Sequence, residues 1–265
     1  MMKNSTYKFL TKILGILILC FCCMQANCDA AEKQFVSLSP ALTEIMYAIG
    51  AEHQLMGVST SCNYPESAKN KEIVGDSFYV NKEKILHLSP DYVLAVEGVQ
   101  SKTCHFERDG IKTVTFNTDS VNSVYEAVLQ TGMLAGKTEN AIRLVKDIAG
   151  YIDKNTVQNP KKILYIIQLN PIITIGNKSF IADLIRKSGN TSVTDGLNLL
   201  YPQVTYEYIS TLKPDVILIC YKSDDKILKK LFPNIKIIYL SQEQNDFINR
   251  PGPRIKKAVE FFRNL

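Results

Sequence analysis

The chain has 265 residues, a formal net charge of +5, three histidines and no tryptophan. Residues 1–30 hold three Lys and one Asp, so the remainder carries 28 basic and 25 acidic residues, net +3 over 235. So mild a balance argues against a nucleic-acid surface, which needs a clustered basic excess.

The chain opens with Lys3, Lys8 and Lys12, then an apolar run from Ile13 to Met24, then small residues around Ala26 to Ala31. This is the pattern of a secretory leader, and the run is short for a membrane span of about 20 residues. Cleavage is expected near Ala30. Four of the seven cysteines, Cys20, Cys22, Cys23 and Cys28, lie in this region. Cys28 could carry a lipid, but Gln25-Ala26-Asn27 is a poor lipobox, so a soluble exported form is favoured over a lipoprotein. Cys62, Cys104 and Cys220 remain. Without a Cys-x-x-Cys pair they do not suggest a zinc ribbon or a thioredoxin-like site. Cys62 and Cys104 can pair in an oxidising compartment, whereas Cys220, inside an apolar strand, reads as a buried hydrophobe.

Strands and helices alternate along the rest of the chain. The pattern predicts a strand over Phe35 to Leu38, a helix over Ala41 to Ile49 ended by Gly50, a strand over Leu55 to Ser59, and another over Thr113 to Phe116. A helix over Val121 to Leu134 closes this first lobe, 34–137. Residues Thr138 to about Thr156 place Ala141, Leu144, Val145, Ile148 and Ile152 on one face, an amphipathic helix of about five turns at 3.6 residues per turn. This connector, 138–157, ends at Asn159-Pro160. The second lobe, 161–265, has a predicted strand over Lys162 to Gln168, a helix over Phe180 to Lys187, a strand over Ile235 to Leu240 and a final helix over Pro253 to Phe262.

One unit occurs in both lobes. Val80 to Leu94 and Val204 to Leu218 match at an offset of 124 residues: Asn81 with Thr205, Glu83 with Glu207, Ile85 with Ile209, Leu88 with Leu212, Pro90-Asp91 with Pro214-Asp215. Solenoid units repeat every ~20 to 50 residues, so this repeat marks two domain-sized halves of one design. In each copy an N-capping residue and a first-turn glutamate open a short helix, the proline is expected to stop it, and a β-branched run follows as a buried parallel strand. The fold class is α/β: two pseudo-equivalent lobes with mainly parallel sheets, joined by one long helix.

Enzyme motifs are weak. Gly132 to Thr138 has one residue too few for a phosphate-binding loop and follows a helix, and no Gly-x-Ser-x-Gly elbow occurs. His53, His87 and His105 are isolated, so a zinc or manganese capture protein is not expected. An exported α/β enzyme with unrecognised catalytic residues is the alternative from another class.

Ser37-Leu38-Ser39-Pro40 with Thr43-Glu44-Ile45, Gly57-Val58-Ser59 with Tyr64-Pro65, Ile85 to Leu94, Asn170-Pro171 with Gly176, Tyr201-Pro202-Gln203-Val204 and Arg250-Pro251-Gly252-Pro253-Arg254 carry a resemblance in their order and spacing. Over essentially the whole chain beyond the leader, it resembles the ABC-importer substrate-binding proteins of the vitamin B12 and iron-siderophore class, with their rigid interlobe helix. The resemblance implies a periplasmic, monomeric, non-enzymatic protein without a cofactor of its own. It implies a transported metal chelate, a corrinoid such as cobalamin, with iron-siderophore and haem as rivals, held between the lobes. Matching loops offer Pro40, Ser61, Ser77, Phe78, Tyr79, Glu97, Tyr201, Asp246, Phe247 and Arg250. Ser61, Ser77, Val96 and Ile173 stand where the B12 pattern has aromatic residues; Tyr201 keeps one, and Phe78 and Tyr79 could substitute. The resemblance also implies that Glu83 and Glu207, one on each lobe surface, dock on basic residues of the permease and through it engage the ATPase.

Overall fold

The computed structural model describes residues 32–76, 78–98, 106–154, 157–222 and 224–265. Its first sheet is built from β1 (Phe35–Ser37), β2 (Leu55–Val58), β3 (Glu72–Ile73), β4 (Tyr92–Val96) and β5 (Lys112–Phe116). They lie side by side in the order β3-β2-β1-β4-β5 and all run parallel. Every carboxyl end, with the loop that follows it, therefore sits along one edge of the sheet. Phe35 and Leu94 pack on one face; Val36, Val93 and Ala95 pack on the other. Burial on both faces explains the nearly uniform apolar strands.

Gly57 permits close packing in this lobe: a Cβ there would come within 2.8 Å of Val74 and 3.0 Å of Leu88. The helices are α1 (Pro40–Ala48), α2 (Lys82–Leu88) and α3 (Val121–Leu134). The connector α4 (Thr138–Lys154) buries Ala141, Ile148 and Ile152, as its periodicity predicts.

The second sheet contains β6 (Lys162–Leu169), β7 (Ile172–Thr174), β8 (Thr191–Ser192), β9 (Val216–Ile219) and β10 (Lys236–Tyr239). Its order is β10-β9-β6-β7, with β8 also on β6. β7 is antiparallel to β6 and the other pairs are parallel. The helices of this lobe are α5 (Phe180–Lys187), α6 (Tyr206–Ser210), α7 (Lys226–Leu231), α8 (Gln242–Asn249) and α9 (Ile255–Arg263).

The predicted strands and helices occur with ends shifted by at most two residues. Both repeat helices are capped as expected: Lys84 N donates to Asn81 Oδ1 at 3.0 Å, and Tyr208 N to Thr205 Oγ1 at 3.2 Å. The first helix ends at Ser89, directly before Pro90 and out of the right-handed region at a φ of 46°, as a following proline requires. The second stops at Thr211, three residues before Pro214, so that proline does not end it.

The lobes share more than the connector. One buried cluster runs from Phe35 and Leu94 through Ile148 to Tyr165, Leu218 and Phe262. Arg263 of α9 reaches the connector's last turn, donating to Ile152 O at 2.7 Å and Tyr151 O at 3.3 Å. Cys220 is buried as expected. Cys62 is a buried free thiol, raised by desolvation. The leader, Cys28, Ser77, Cys104 and His105 lie outside the described residues.

Candidate functional site

The first helices of the two lobes point their amino ends at one cleft. β1 leads directly into α1, with Ser39 before it and Pro40 in the first turn, where a missing N–H costs nothing. α5 begins at Phe180 behind Ser179, whose hydroxyl accepts from Ala182 N at 3.1 Å. Ser39, Pro40 and Ala41 from one lobe and Phe180 and Ile181 from the other line a cavity of about 430 Å³. Val96, Glu97, Thr118 and Asp119 complete the first lobe's wall; Leu200, Tyr201, Asn249, Arg250 and Pro251 complete the second's. The first-lobe residues follow β1, β4 and β5, at the carboxyl edge where open α/β sheets bind ligands.

Tyr201 is delivered by Gly176. A Cβ at Gly176 would collide with the carbonyls of Leu197 and Leu199, and Gly176 N donates to Leu200 O at 2.8 Å. The segment before Tyr201 is thus pinned against α5's entry, leaving the tyrosine ring 52 % exposed on the cleft. Burial around its hydroxyl, with Asp119 across the cleft, raises the phenol above its ordinary pKa, so it stays a neutral donor.

Among the described residues, charge in the cleft is mostly negative. Asn117 Nδ2 links Glu97 Oε2 at 3.4 Å to Asp119 Oδ2 at 3.1 Å. Arg250 faces them with its guanidinium already engaged, by Asn63 Oδ1 at 2.7 Å, Asp246 Oδ1 at 3.1 Å and Glu44 Oε1 at 3.3 Å. Behind it, Asn249 accepts from the Tyr165 hydroxyl at 3.2 Å, and Tyr165 accepts from the Cys220 thiol at 3.2 Å. Desolvation holds the Tyr165 phenol well above its ordinary pKa, so this supporting layer is uncharged.

Of the sequence-derived candidates, Pro40, Glu97, Tyr201 and Arg250 come together in the cleft. Asp246 stands behind Arg250 as its ion-pair partner. Ser61 lies half-buried in the turn after β2, outside the cavity lining. Phe78 and Tyr79 are 80 % and 64 % exposed on a turn whose amides both donate to Asp76 Oδ1 at 2.7 Å. That turn follows β3, at the far end of the row of loops from β5. Phe247 is not on the cleft wall: it is 8 % exposed and packs edge-on to Phe261. It lies in a helix and not in a loop: residues 242–249 are helical and Phe247 takes the inward face.

Sequence reasoning missed Thr118, Asp119, Phe180, Ile181, Leu200 and Asn249. The carboxyl end of β5 and the capped start of α5 were both legible, and either would have pointed to them. Glu83 and Glu207 are exposed, each in the first turn of its short helix. Among the described residues no group of three His, Cys, Asp or Glu side chains is placed to hold a metal.

Two α/β lobes with a cleft at the carboxyl edges of their sheets and a single long helix between them define a two-lobed ligand-binding protein. The chain belongs to the periplasmic binding protein family, which it matches over residues 35–245. A vitamin B12-binding protein of Vibrio vulnificus is 30% identical over 264 residues, covering 94% of each chain. An uncharacterized ABC transporter substrate-binding lipoprotein of Bacillus subtilis is 28% identical over 277 residues, covering 97% of this chain and 87% of its own. Among solved structures, the periplasmic vitamin B12-binding protein of Vibrio cholerae superposes with a TM-score of 0.72 at 22% identity, covering 88% of this chain and 96% of that one. The periplasmic haem-binding protein of the same organism gives 0.75 at 18%, covering 88% and 98%. At these identities the solved structures establish the shared fold.

Proposed function

We propose that this protein is the substrate-binding component of an ABC importer that captures a corrinoid in the interlobe cleft and passes it to a membrane permease. The observation that carries the ligand class is the charge of the cleft. Glu97 and Asp119 are carboxylates, and Arg250, the one cation among the described residues of the lining, is already matched by Glu44 and Asp246. Haem propionates, or the anionic groups of many ferric siderophores, would face this acidic lip with no free cation among the described lining residues. A corrinoid presents neutral primary amides, which both donate to carboxylates and accept from Tyr201 and Arg250. The Vibrio vulnificus and Vibrio cholerae relatives named for vitamin B12 support the same ligand.

Leu200 and Tyr201 at the cavity and Leu199 beside them, all exposed, supply apolar surface for a large flat ligand, and Phe78 and Tyr79 offer more at the far end of the row of loops. The cavity of about 430 Å³ lies toward the lower end of the ~300 to 1,000 Å³ typical of small-molecule pockets, so much of a corrinoid would sit above it, against these rims. The relatives described above are named as binding proteins, which supports capture over catalysis.

Glu83 and Glu207 are assigned to permease contact, one from each lobe. The family and the lipoprotein relative support a location outside the cytoplasmic membrane, here as a soluble periplasmic monomer after removal of residues 1–30. Calorimetry with cyanocobalamin, haemin and a ferric catecholate tests the ligand class: only the first should bind at one site. Preference for either anionic chelate would overturn the corrinoid assignment.

A further inference from the structure

We propose that Glu44 is a positioning residue for the ligand site: it sits outside the cleft but holds the Arg250 guanidinium in the cleft wall. The proposal rests on reading the interlobe cleft as the ligand site.

Glu44 lies on the inward face of α1 with Leu42, Ile45 and Met46, and its side chain is only 2 % exposed. A carboxylate so deeply buried is costly unless it is paired and hydrogen-bonded. Both of its cationic partners come from the other lobe. Arg254 binds it in a two-pronged manner, Nε to Oε2 at 2.8 Å and NH2 to Oε1 at 2.6 Å. That fork fixes the plane of the carboxylate. Arg254 is itself held over the Tyr64 ring, 4.2 Å from its centroid.

Oε1 then also accepts from Arg250 NH1 at 3.3 Å. With Asn63 on the same nitrogen and Asp246 on NH2, three acceptors surround a guanidinium that is 14 % exposed, at the point where it meets the cleft. Two of the three, Glu44 and Asn63, belong to the lobe opposite Arg250. The loop that carries both arginines is seated on α1 as well, since a Cβ on Gly252 would come within 3.3 Å of Ala41 O. Glu44 is therefore the shared anion of two buried cations. Without it Arg254 loses its fork partner, and Arg250 keeps Asp246 as its sole carboxylate, on the helix just before it, and is drawn out of register with the cleft.

A double-mutant cycle on the mature chain, with cyanocobalamin as probe, separates positioning from a general structural role. Glu44→Gln and Arg250→Ala should each weaken binding by at least about tenfold. If Glu44 acts through Arg250, Glu44→Gln should add nothing in the Arg250→Ala background. Additive losses would overturn the proposal. Should Glu44→Gln fail to fold, the charge-balanced Glu44→Gln with Arg254→Met carries the same expectation.

A ligand-free measurement decides the matter independently. The Arg250 NH1 proton resonances, assigned by their loss in Arg250→Ala, should exchange faster with water in Glu44→Gln while the backbone amide spectrum stays folded. An unchanged Arg250 resonance would overturn the proposal whether or not cyanocobalamin binds. Failure of the parent protein to bind cyanocobalamin, with the resonance altered as expected, would sink the corrinoid assignment and support the positioning role.

Discussion

Asp91 and Asp215, 124 positions apart, form the same pair of hydrogen bonds in their respective lobes. Asp91 Oδ2 accepts from Gln34 N at 2.8 Å, and Asp91 N donates to Gln34 O at 2.9 Å. Asp215 Oδ2 accepts from Lys162 N at 2.7 Å, and Asp215 N donates to Lys162 O at 2.7 Å. Each aspartate thus fastens the amino end of its lobe's first strand to the strand beside it, which gives the repeated Pro-Asp a structural role.

Replacing either aspartate by alanine should cost about 1 kcal/mol, the usual net value of a hydrogen bond at a partly exposed site, measurable by urea unfolding. Ligand affinity should not change, because these bonds lie at the sheet edge opposite the cleft. Asp91 adds a pH signature. The Lys33 ammonium, bonded at 2.8 Å, and then the Gln34 N–H hold its carboxyl below the ordinary carboxylate range. Its contribution is complete above the unfolded value of about 3.9 and disappears as pH falls through the lower folded value. The stability gap between the parent and Asp91→Asn should therefore close on acidification below about pH 4.

Arg250→Ala should weaken corrinoid binding by about 1.5 to 3 kcal/mol, the scale of a hydrogen bond to a charged group. Folding should survive, since Glu44 keeps its fork to Arg254. Tyr201→Ala should also lower affinity by removing an aromatic face, and a half-exposed ring contributes little to the core. Calorimetry alongside thermal unfolding checks both. Unchanged affinity in both variants would remove these residues from the site.

What the sequence made legible followed from periodicity and capping. Val121 to Leu134 and Phe180 to Lys187 occur as predicted because apolar spacing and local caps agree there. β7 was not legible: three residues after Asn170-Pro171 give no alternation to read, and the strand is stabilised by pairing with β6. α8 was overlooked although its capping box was visible. Ser241 accepts from Gln244 N at 3.2 Å and Gln244 Oε1 accepts from Ser241 N at 2.8 Å, but the polar run Gln242 to Asp246 reads as a loop. That omission misplaced Phe247. Glu44 was visible only as part of a motif, because its partners lie 206 and 210 residues away and no local pattern reveals them.

Closure on ligand binding should be small. Besides the connector and the shared core, two carboxylates cross between the lobes: Glu44 to Arg250 and Arg254, and Asp183 of α5, whose Oδ2 accepts from Val121 N at 2.8 Å at the start of α3. A carboxylate at a helix amino end is favoured by the helix dipole as well as by the bond. Small-angle scattering with and without cyanocobalamin should give the same radius of gyration within error. Marked compaction would show that these ties break on binding.

Glu83 and Glu207 should act on the permease and not on the ligand. α2 starts beside the carboxyl end of β3, where Asn81 N donates to Val74 O at 2.8 Å. α6 starts beside the ends of β6 and β9, where Tyr206 shares a cavity with Leu169 and Tyr221. Both exposed glutamates therefore stand toward the carboxyl edges of the two sheets, one per lobe, at matching places in the repeat. A permease with two-fold symmetry can meet such a pair with matching basic groups. Exposed charges at an interface chiefly set the encounter rate and its salt dependence. The double variant Glu83→Ala with Glu207→Ala should lose permease association and uptake while keeping ligand affinity and thermal stability. Each single variant should be impaired less, and raising ionic strength should weaken the parent's association more than the double variant's. Full uptake by the double variant would leave these residues with only their first-turn role at the helix amino ends.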